Sequence, residues 1–214
     1  MVTPSSRPLA ARERAALADL LDELGPDAPT CCEGWTTAHL AAHLVTRDRR
    51  PDALPGYALE RTPVGGRLHA HAERVEDRLR TSTAYPELVA RVRQGPPAWL
   101  PMGWPGVSAV ADSAEFAIHH EDVRRARPGW APRALPPADA DRLWGAAQLF
   151  ARAAAARCPG GLALQRSDVP GPGKRIRAGS APTTVEGEPM EVLLWATGRT
   201  DVARVVVRDG APVG

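Results

Sequence analysis

The chain has 214 residues, enough to bury a sizeable core in one large domain or two small ones without stabilising disulfides. Apolar residues make up 43% of it and no apolar run reaches the length of a membrane span, so we expect no membrane partner. The formal net charge is +2, with arginines and acids mixed along the sequence. That pattern is typical of an ion-paired surface and argues against nucleic-acid binding.

The first two thirds of the sequence predict helices. Leucines at helical spacing indicate a helix over residues 8–24, and Thr36 or Thr37 can cap a second helix that runs to about Arg50. The predicted segments that follow are a Pro- and Gly-rich loop over 51–66, a charged helix over 67–81, a short helix over 86–94, a loop over 95–106, and long helices over 107–126 and 137–157.

The character of the sequence changes after Pro159-Gly160. LALQRSDV, KRIRAG and ARVVVRDG predict strands, and TTVEGEPMEVLLWATGR predicts a strand, a turn and a short apolar helix. We therefore expect a mainly α protein, with a helical bundle over 1–158 and a small α/β domain over 159–214.

The start of the chain and its cysteines predict a cytoplasmic protein. The first residues are polar and charged, without the apolar core of a signal peptide. Cys31, Cys32 and Cys158 are an odd number, which argues against a disulfide framework. We interpret Cys32 and Cys158 as packing residues and Cys31 as incidental.

The segment EFAIHHEDVRR carries the most chemistry. Glu115 and His119 are four residues apart and share one face of the predicted helix, and Asp122 lies three residues further on. The same stripe borders the core, where a carboxylate and an imidazole are costly unless something pairs them. A metal ion would pair them, but taken alone the pattern favours an ordinary i,i+4 polar contact.

A third metal ligand has to come from another helix, and His43 is the best candidate because it lies on the apolar face of the second helix. His39, one turn earlier, is shifted toward the polar face. A set of His43, Glu115 and His119 would leave coordination positions open, as catalytic sites do. Asp122 would then accept a hydrogen bond from the other ring nitrogen of a ligand histidine.

The remaining histidines have simpler interpretations. His69 and His71 are two residues apart, so they face different sides of a helix and are expected in solvent. His120 points about a quarter-turn away from His119 and is expected at the surface or behind the ligands.

Three motifs support a family resemblance. CEGWTTAHLAAHL matches the pattern Cys-x-Gly-Trp-Thr-x-x-x-Leu-x-x-His, EFAIHHEDVRR matches Glu-x-x-x-His-x-x-Asp, and MEVLLWATGR matches Leu-Leu-x-x-x-x-Gly-Arg. The matching residues are Cys32, Gly34, Trp35, Thr36, Leu40, His43, Glu115, His119, Asp122, Gly198 and Arg199. Over nearly its whole length the chain resembles the metal-binding-domain family of mycothiol-dependent maleylpyruvate isomerases, and within it an actinobacterial branch described as metal-binding proteins.

The resemblance implies a DinB-like four-helix bundle followed by a small α/β domain. It also implies a divalent ion, usually zinc, at His43, Glu115 and His119. Arg199 would bind a carboxylate of the substrate or the thiol, although an arginine that interacts with a helix C-terminus is an equal alternative. The family more often has an acidic residue at the position of His39. His39 is then either a substitution on the helix surface or an additional group that contacts a ligand from behind.

The reaction follows from the same resemblance. In the resembled isomerase a low-molecular-weight thiol adds to an unsaturated acid, and the double bond then rotates. We therefore expect a mycothiol-dependent isomerase or S-transferase that acts on small molecules, with mycothiol as the thiol cosubstrate. A non-enzymatic metal-binding or ligand-sensing protein is the alternative, and an Fe(II) oxygenase is a third that the helical setting disfavours. Whether the chain forms a homodimer stays open.

Overall fold

The computed structural model describes residues 8–59, 65–100 and 109–210. Parts of three predicted segments lie outside these residues, namely 60–64, 101–106 and 107–108. The chain divides into two compact units, Met1–Gly129 and Trp130–Gly214. In the described part of the chain no helix combines the length and the apolar character needed to cross a bilayer.

The N-terminal unit is helical. Its helices are α1 Leu9–Leu24, α2 Thr37–Arg49, α3 Leu54–Leu59, α4 Gly65–Ser82, α5 Tyr85–Gln94 and α6 Ala109–Arg125. Helices α1, α2, α4 and α6 form the predicted four-helix bundle, with α6 against α1 and α4 against α2. Helix α5 packs across α1 and α2. The observed α1 and α2 agree with the helices that the sequence predicts over 8–24 and from Thr36 or Thr37 to about Arg50.

Apolar residues at helical spacing form one face of each helix, and this face packs in the core. In the described part of this unit, the largest fully buried apolar side chains are Leu17, Leu21, Leu40, Leu44, Leu88 and Phe116. The guanidinium of Arg14 lies 3.8 Å from the centre of the Phe116 ring and pairs with the buried carboxylate of Asp48. The positive charge of Arg14 thus compensates the buried negative charge of Asp48.

Helix α3 lies in the segment that the sequence predicted to be a loop, so this part of the prediction is wrong. Pro55 takes the second position of α3, where a missing N–H costs little because first-turn N–H groups have no partner inside the helix. Gly56 permits close packing on α4, since a β-carbon there would lie 2.5 Å from the carbonyl oxygen of Leu68. Both breaker residues thus fit a short helix.

The C-terminal unit, as described to residue 210, combines two α-helices with a four-stranded sheet. Its elements are α7 Pro137–Ala154, a 3-10 turn Ala155–Arg157, β1 Leu162–Arg166, β2 Lys174–Arg177, β3 Thr183–Gly187, α8 Pro189–Ala196 and β4 Val206–Arg208. The strand order is β2-β1-β3-β4, with β1 parallel to β3 and both outer strands antiparallel to their neighbours. The predicted fold class, a mainly α chain with a small C-terminal α/β part, is confirmed.

Helix α7 belongs to this second unit because it packs against α8. The sequence placed it with the bundle and set the domain boundary at 158/159. The compact units therefore divide the chain earlier than the predicted domains 1–158 and 159–214. Periodicity shows that α7 has an apolar face but does not show which element covers that face.

Candidate metal centre

The segment before α2 is held by hydrogen bonds within the N-terminal unit. The hydroxyl of Thr30 lies 3.0 Å from the carbonyl oxygen of Trp35, and the backbone N–H of Cys31 donates to the carbonyl oxygen of Asp122 at 2.9 Å. Thr36 has extended backbone angles and is the N-cap of α2. These contacts hold the start of α2 against α6. They therefore help to determine where along α6 His43 lies, which is opposite Glu115.

His39 belongs to the helix cap and not to the ligand group. Its Nδ1 accepts a hydrogen bond from the backbone N–H of Thr36 at 3.2 Å, the role that Glu or Gln usually has at this position of a capping box. Burial and the nearby Arg80 lower the pKa of His39, which keeps the ring neutral and able to accept. An imidazole can therefore replace the acidic residue that the resembled family more often has here.

The three predicted ligands come together between α2 and α6. His43 Nε2 lies 3.2 Å from Glu115 Oε1, and His119 Nε2 lies 3.4 Å from the same oxygen. One ligand atom from each of the three residues lies within 4.8 Å of the others. The two imidazole rings are 5.3 Å apart at 69°, so their edges approach the shared carboxylate from different directions.

A carboxylate holds the outer nitrogen of each ring. His43 Nδ1 lies 2.8 Å from Glu76 Oε1 on α4, and His119 Nδ1 lies 2.9 Å from Asp122 Oδ2 on α6. Ligand histidines in metal sites usually donate their second N–H to such a group, which fixes the tautomer and the ring orientation. Asp122 was predicted in this position, whereas Glu76 was missed.

The electrostatics of the cluster reflect this pairing. Burial opposes the charged form of His119, but hydrogen bonds with Asp122, Cys32 and Glu115 raise its pKa well above the usual value. Burial acts on His43 in the same way, and hydrogen bonds with Glu115 and Glu76 raise its pKa. Burial would raise the pKa of Glu115, but the two histidines hold it well below the usual value. Protons and a metal ion would therefore compete for the same two Nε2 atoms.

Two separations between the candidate ligand atoms match the spacing around a divalent ion. Bonds of about 2.0–2.1 Å at tetrahedral angles put two ligand atoms about 3.3 Å apart. The separations of 3.2 and 3.4 Å between Glu115 Oε1 and the two Nε2 atoms agree with that spacing. Two imidazoles and one carboxylate suit zinc and related ions and leave a coordination position for another ligand.

Arg47 is a neighbour of the cluster that the sequence analysis missed. It lies one turn after His43 on α2, and its Nε is 3.5 Å from Glu115 Oε1. Its Nη1 lies 2.7 Å from Asp112 Oδ1. The i,i+4 spacing from His43 was the available signal, because it places both side chains on one helix face.

Cys32 lies behind His119. Its Sγ donates to Asp122 Oδ2 at 3.2 Å, so one carboxylate oxygen accepts from both the thiol and the imidazole. Cys32, His119 and Asp122 offer atoms within 4.8 Å of one another. Because Nδ1 of His119 is engaged with Asp122, we interpret this group as a hydrogen-bonded chain that supports His119. Cys32 therefore does more than the packing that the sequence predicted.

The other histidines lie outside the ligand group. His120 is buried, with Nδ1 2.7 Å from Glu13 Oε2 on α1, so of its two predicted positions, at the surface or behind the ligands, the surface position is wrong. His69 and His71 are partly exposed, and His71 pairs with Asp52. His120 therefore links α6 to α1, and the two α4 histidines lie outside the group of candidate ligands.

A small cavity opens beside Glu76. Its volume is about 170 Å³, and it is lined by Trp35, His39, Ala42, Glu73, Glu76, Asp77 and Arg80. The Trp35 ring also packs against His43, with ring centres 5.1 Å apart. The cavity thus shares two of its lining residues with the surroundings of His43.

Arg199 lies in the C-terminal unit, three residues after the last residue of α8. Its Nη1 donates to the carbonyl oxygen of Thr197 at 3.0 Å, a contact with the end of the helix. This geometry corresponds to the helix-terminal alternative that the sequence left open. A contact of Arg199 with substrate stays a prediction.

Comparison with known proteins points to one family. Residues 8–124, more than half of the chain, match the family model of the mycothiol maleylpyruvate isomerase N-terminal domain. Two crystal structures of mycothiol-dependent maleylpyruvate isomerase are similar in fold, one of a histidine-to-alanine mutant (TM-score 0.58) and one reported without a mutation (TM-score 0.56). Each is 19% identical to this chain, and each alignment covers 99% of it and 98% of the solved chain. No curated protein matches the sequence.

Proposed function

Because the chain belongs to the family of the mycothiol maleylpyruvate isomerase N-terminal domain, we propose that it is a divalent-metal protein that uses a low-molecular-weight thiol. The metal ligands would be His43, Glu115 and His119, the ion zinc and the thiol mycothiol. The reaction would be an isomerisation or an S-transfer on a small molecule. The observation that supports this most is the approach of two Nε2 atoms to one Glu115 oxygen, with a carboxylate behind each ring.

The chain's own residues orient the site. When bound, a divalent ion at such a set lowers the pKa of a bound water or thiol and polarises a carbonyl group. Glu76 and Asp122 accept the Nδ1 protons of the two histidines, so that the two Nε2 atoms, which face Glu115, would hold the ion. The low pKa of Glu115 keeps its carboxylate charged and ready to bind a cation.

Arg199 is the residue we propose for a carboxylate of the substrate or of the thiol. The support is its position in the Leu-Leu-x-x-x-x-Gly-Arg motif and the planar guanidinium, which forms two parallel hydrogen bonds with a carboxylate. Arg199→Gln should raise KM for an acidic substrate while metal content stays unchanged. Arg199→Lys should recover only part of the loss, because an ammonium group cannot form the bidentate pair. A KM unchanged in Arg199→Gln would contradict this role.

Metal analysis combined with a thiol screen tests the proposal. Purified protein should contain one divalent ion per chain, and His43→Ala and Glu115→Ala should each lose it. His39→Ala is a matched control, because it removes a histidine one turn away on α2 that serves the helix cap. Mycothiol should raise the apparent stability of the loaded protein and support turnover of unsaturated acids or other electrophiles.

The outcomes separate the alternatives. If the wild-type protein binds no divalent ion stoichiometrically, the proposal fails. If it binds the ion but neither binds mycothiol nor turns over any electrophile, the non-enzymatic metal-binding alternative holds instead. Turnover that requires oxygen and a 2-oxo acid would indicate an Fe(II) oxygenase.

A further inference from the structure

Arg47 brings a positive charge close to the proposed metal ligands. Its side chain is only 11% exposed, and its guanidinium lies between two carboxylates, with Nε 3.5 Å from Glu115 Oε1 and Nη1 2.7 Å from Asp112 Oδ1. Asp48 lies further away, at 3.9 Å from Nη1. The Glu115 oxygen that Arg47 faces is the one that both His43 and His119 approach.

We propose that Arg47 is a positioning residue that limits how much charge Glu115 donates to the metal ion. This inference depends on the proposed metal site. A carboxylate that faces a guanidinium donates less charge to a metal, and the guanidinium itself repels a divalent cation at short range. Arg47 therefore lowers the affinity for the ion and leaves the bound ion a stronger Lewis acid, which favours activation of a thiol or carbonyl group.

A purely structural role for Arg47 predicts the opposite effect on affinity. If Arg47 only held Glu115 in place, its loss would loosen the ligand and weaken metal binding. The buried carboxylate of Asp48 keeps its bonds to Arg14 without Arg47, so the core pair survives the substitution. The sign of the change in affinity thus distinguishes the two roles.

Four variants compared with the wild-type protein test the inference. Arg47→Met removes the charge at similar length, Arg47→Lys keeps the charge, and Asp112→Asn removes the second carboxylate that Arg47 faces. Arg50→Gln is the control, because it removes an exposed positive charge three residues away that pairs with Asp52. Dissociation constants for Zn²⁺ are measured by chelator competition, and the absorption bands of bound Co²⁺ report on the ligand field.

The expected results differ in sign. Arg47→Met should bind Zn²⁺ about 10–100-fold more tightly and shift the Co²⁺ bands, whereas Asp112→Asn should bind it about tenfold more weakly because Arg47 then acts on Glu115 alone. Arg47→Lys and Arg50→Gln should stay within about threefold of the wild type, and Arg50→Gln should leave the Co²⁺ bands unchanged.

Weaker or unchanged binding in folded Arg47→Met overturns the inference while leaving the metal site intact, whereas a wild-type protein that binds no ion overturns the proposed function itself. If Arg47→Met does not fold by circular dichroism, Arg47→Gln, which also removes the charge, takes its place. Tighter Zn²⁺ binding in Arg47→Gln supports the charge role, and weaker or unchanged binding overturns it. Unchanged or tighter binding in Asp112→Asn overturns it as well.

Discussion

Glu76→Gln tests whether the carboxylate behind His43 supports metal binding. Glu76 Oε1 accepts from His43 Nδ1 at 2.8 Å, and both side chains are nearly buried, at 14% and 12% exposure. A hydrogen bond to a charged group in such surroundings contributes about 1.5–3 kcal/mol. At about 1.4 kcal/mol per factor of ten, its loss should weaken Zn²⁺ binding by about 10–100-fold. Chelator competition at constant pH measures this change directly.

Glu73→Gln is the matched control for that experiment. Glu73 lies one turn earlier on α4 and lines the same cavity, but its side chain is 64% exposed and pairs with His69. Glu73→Gln should therefore leave the dissociation constant for Zn²⁺ unchanged. An equal effect of the two substitutions would show that the net charge of α4 matters and not the bond to His43. No effect of Glu76→Gln would refute the role of Glu76 altogether.

The same substitution has a pH-dependent effect without metal. Burial opposes the charged form of His43, but hydrogen bonds with Glu115 and Glu76 raise its pKa in the folded protein. A raised histidine pKa stabilises the fold below the unfolded value of about 6.5, and that stabilisation disappears as pH rises through the folded pKa. Glu76→Gln should therefore lower the free energy of unfolding more at about pH 5.5 than at about pH 8.5. Denaturant unfolding with a chelator present measures both values.

Three further predictions address the surroundings of the site. Because the pKa values of His43 and His119 are raised, Zn²⁺ affinity should begin to fall at a pH above the ordinary histidine value of about 6.5, and a flat affinity between about pH 8 and 6 would contradict this. Leu44→Ala removes a fully buried side chain of α2 and should cost about 2–5 kcal/mol in denaturant unfolding, whereas a loss under about 1 kcal/mol would contradict the packing described. His39→Glu keeps an acceptor for the Thr36 N–H and adds negative charge at a helix N-terminus, so it should stabilise by about 0.3–1 kcal/mol without changing metal content. A clear loss of stability in His39→Glu would show that the cap requires the imidazole.

Local rules predict that each of the three candidate ligands faces the interior of the bundle. Glu115 and His119 share a helix face because they are four residues apart, and His43 turns inward because its neighbours on α2 are buried leucines. These rules apply within one helix and need no knowledge of the partner. Asp122 follows from the same stripe. The sequence therefore indicated which side chains face the bundle interior, and the structure shows that they meet.

Residues that depend on the rotation of a neighbouring helix could not be predicted in this way. Glu76 directly follows the buried Val75 on α4, and only the packing of α4 on α2 brings it to His43. His120 was expected at the surface or behind the ligands, because the leucine pattern of α1 gives no sign that Glu13 is buried and contacts it. Helix α3 was missed because proline and glycine occur both in loops and in the first turn of a helix, so Pro55 and Gly56 do not distinguish the two.

The central claim is that His43, Glu115 and His119 together bind one divalent ion. The most direct test is an anomalous-difference map from crystals of the protein grown with Zn²⁺. We predict a single strong peak at about 2.0–2.2 Å from His43 Nε2, His119 Nε2 and one Glu115 oxygen. A map with no peak between these three side chains, or with the ion bound by other residues, would contradict the claim.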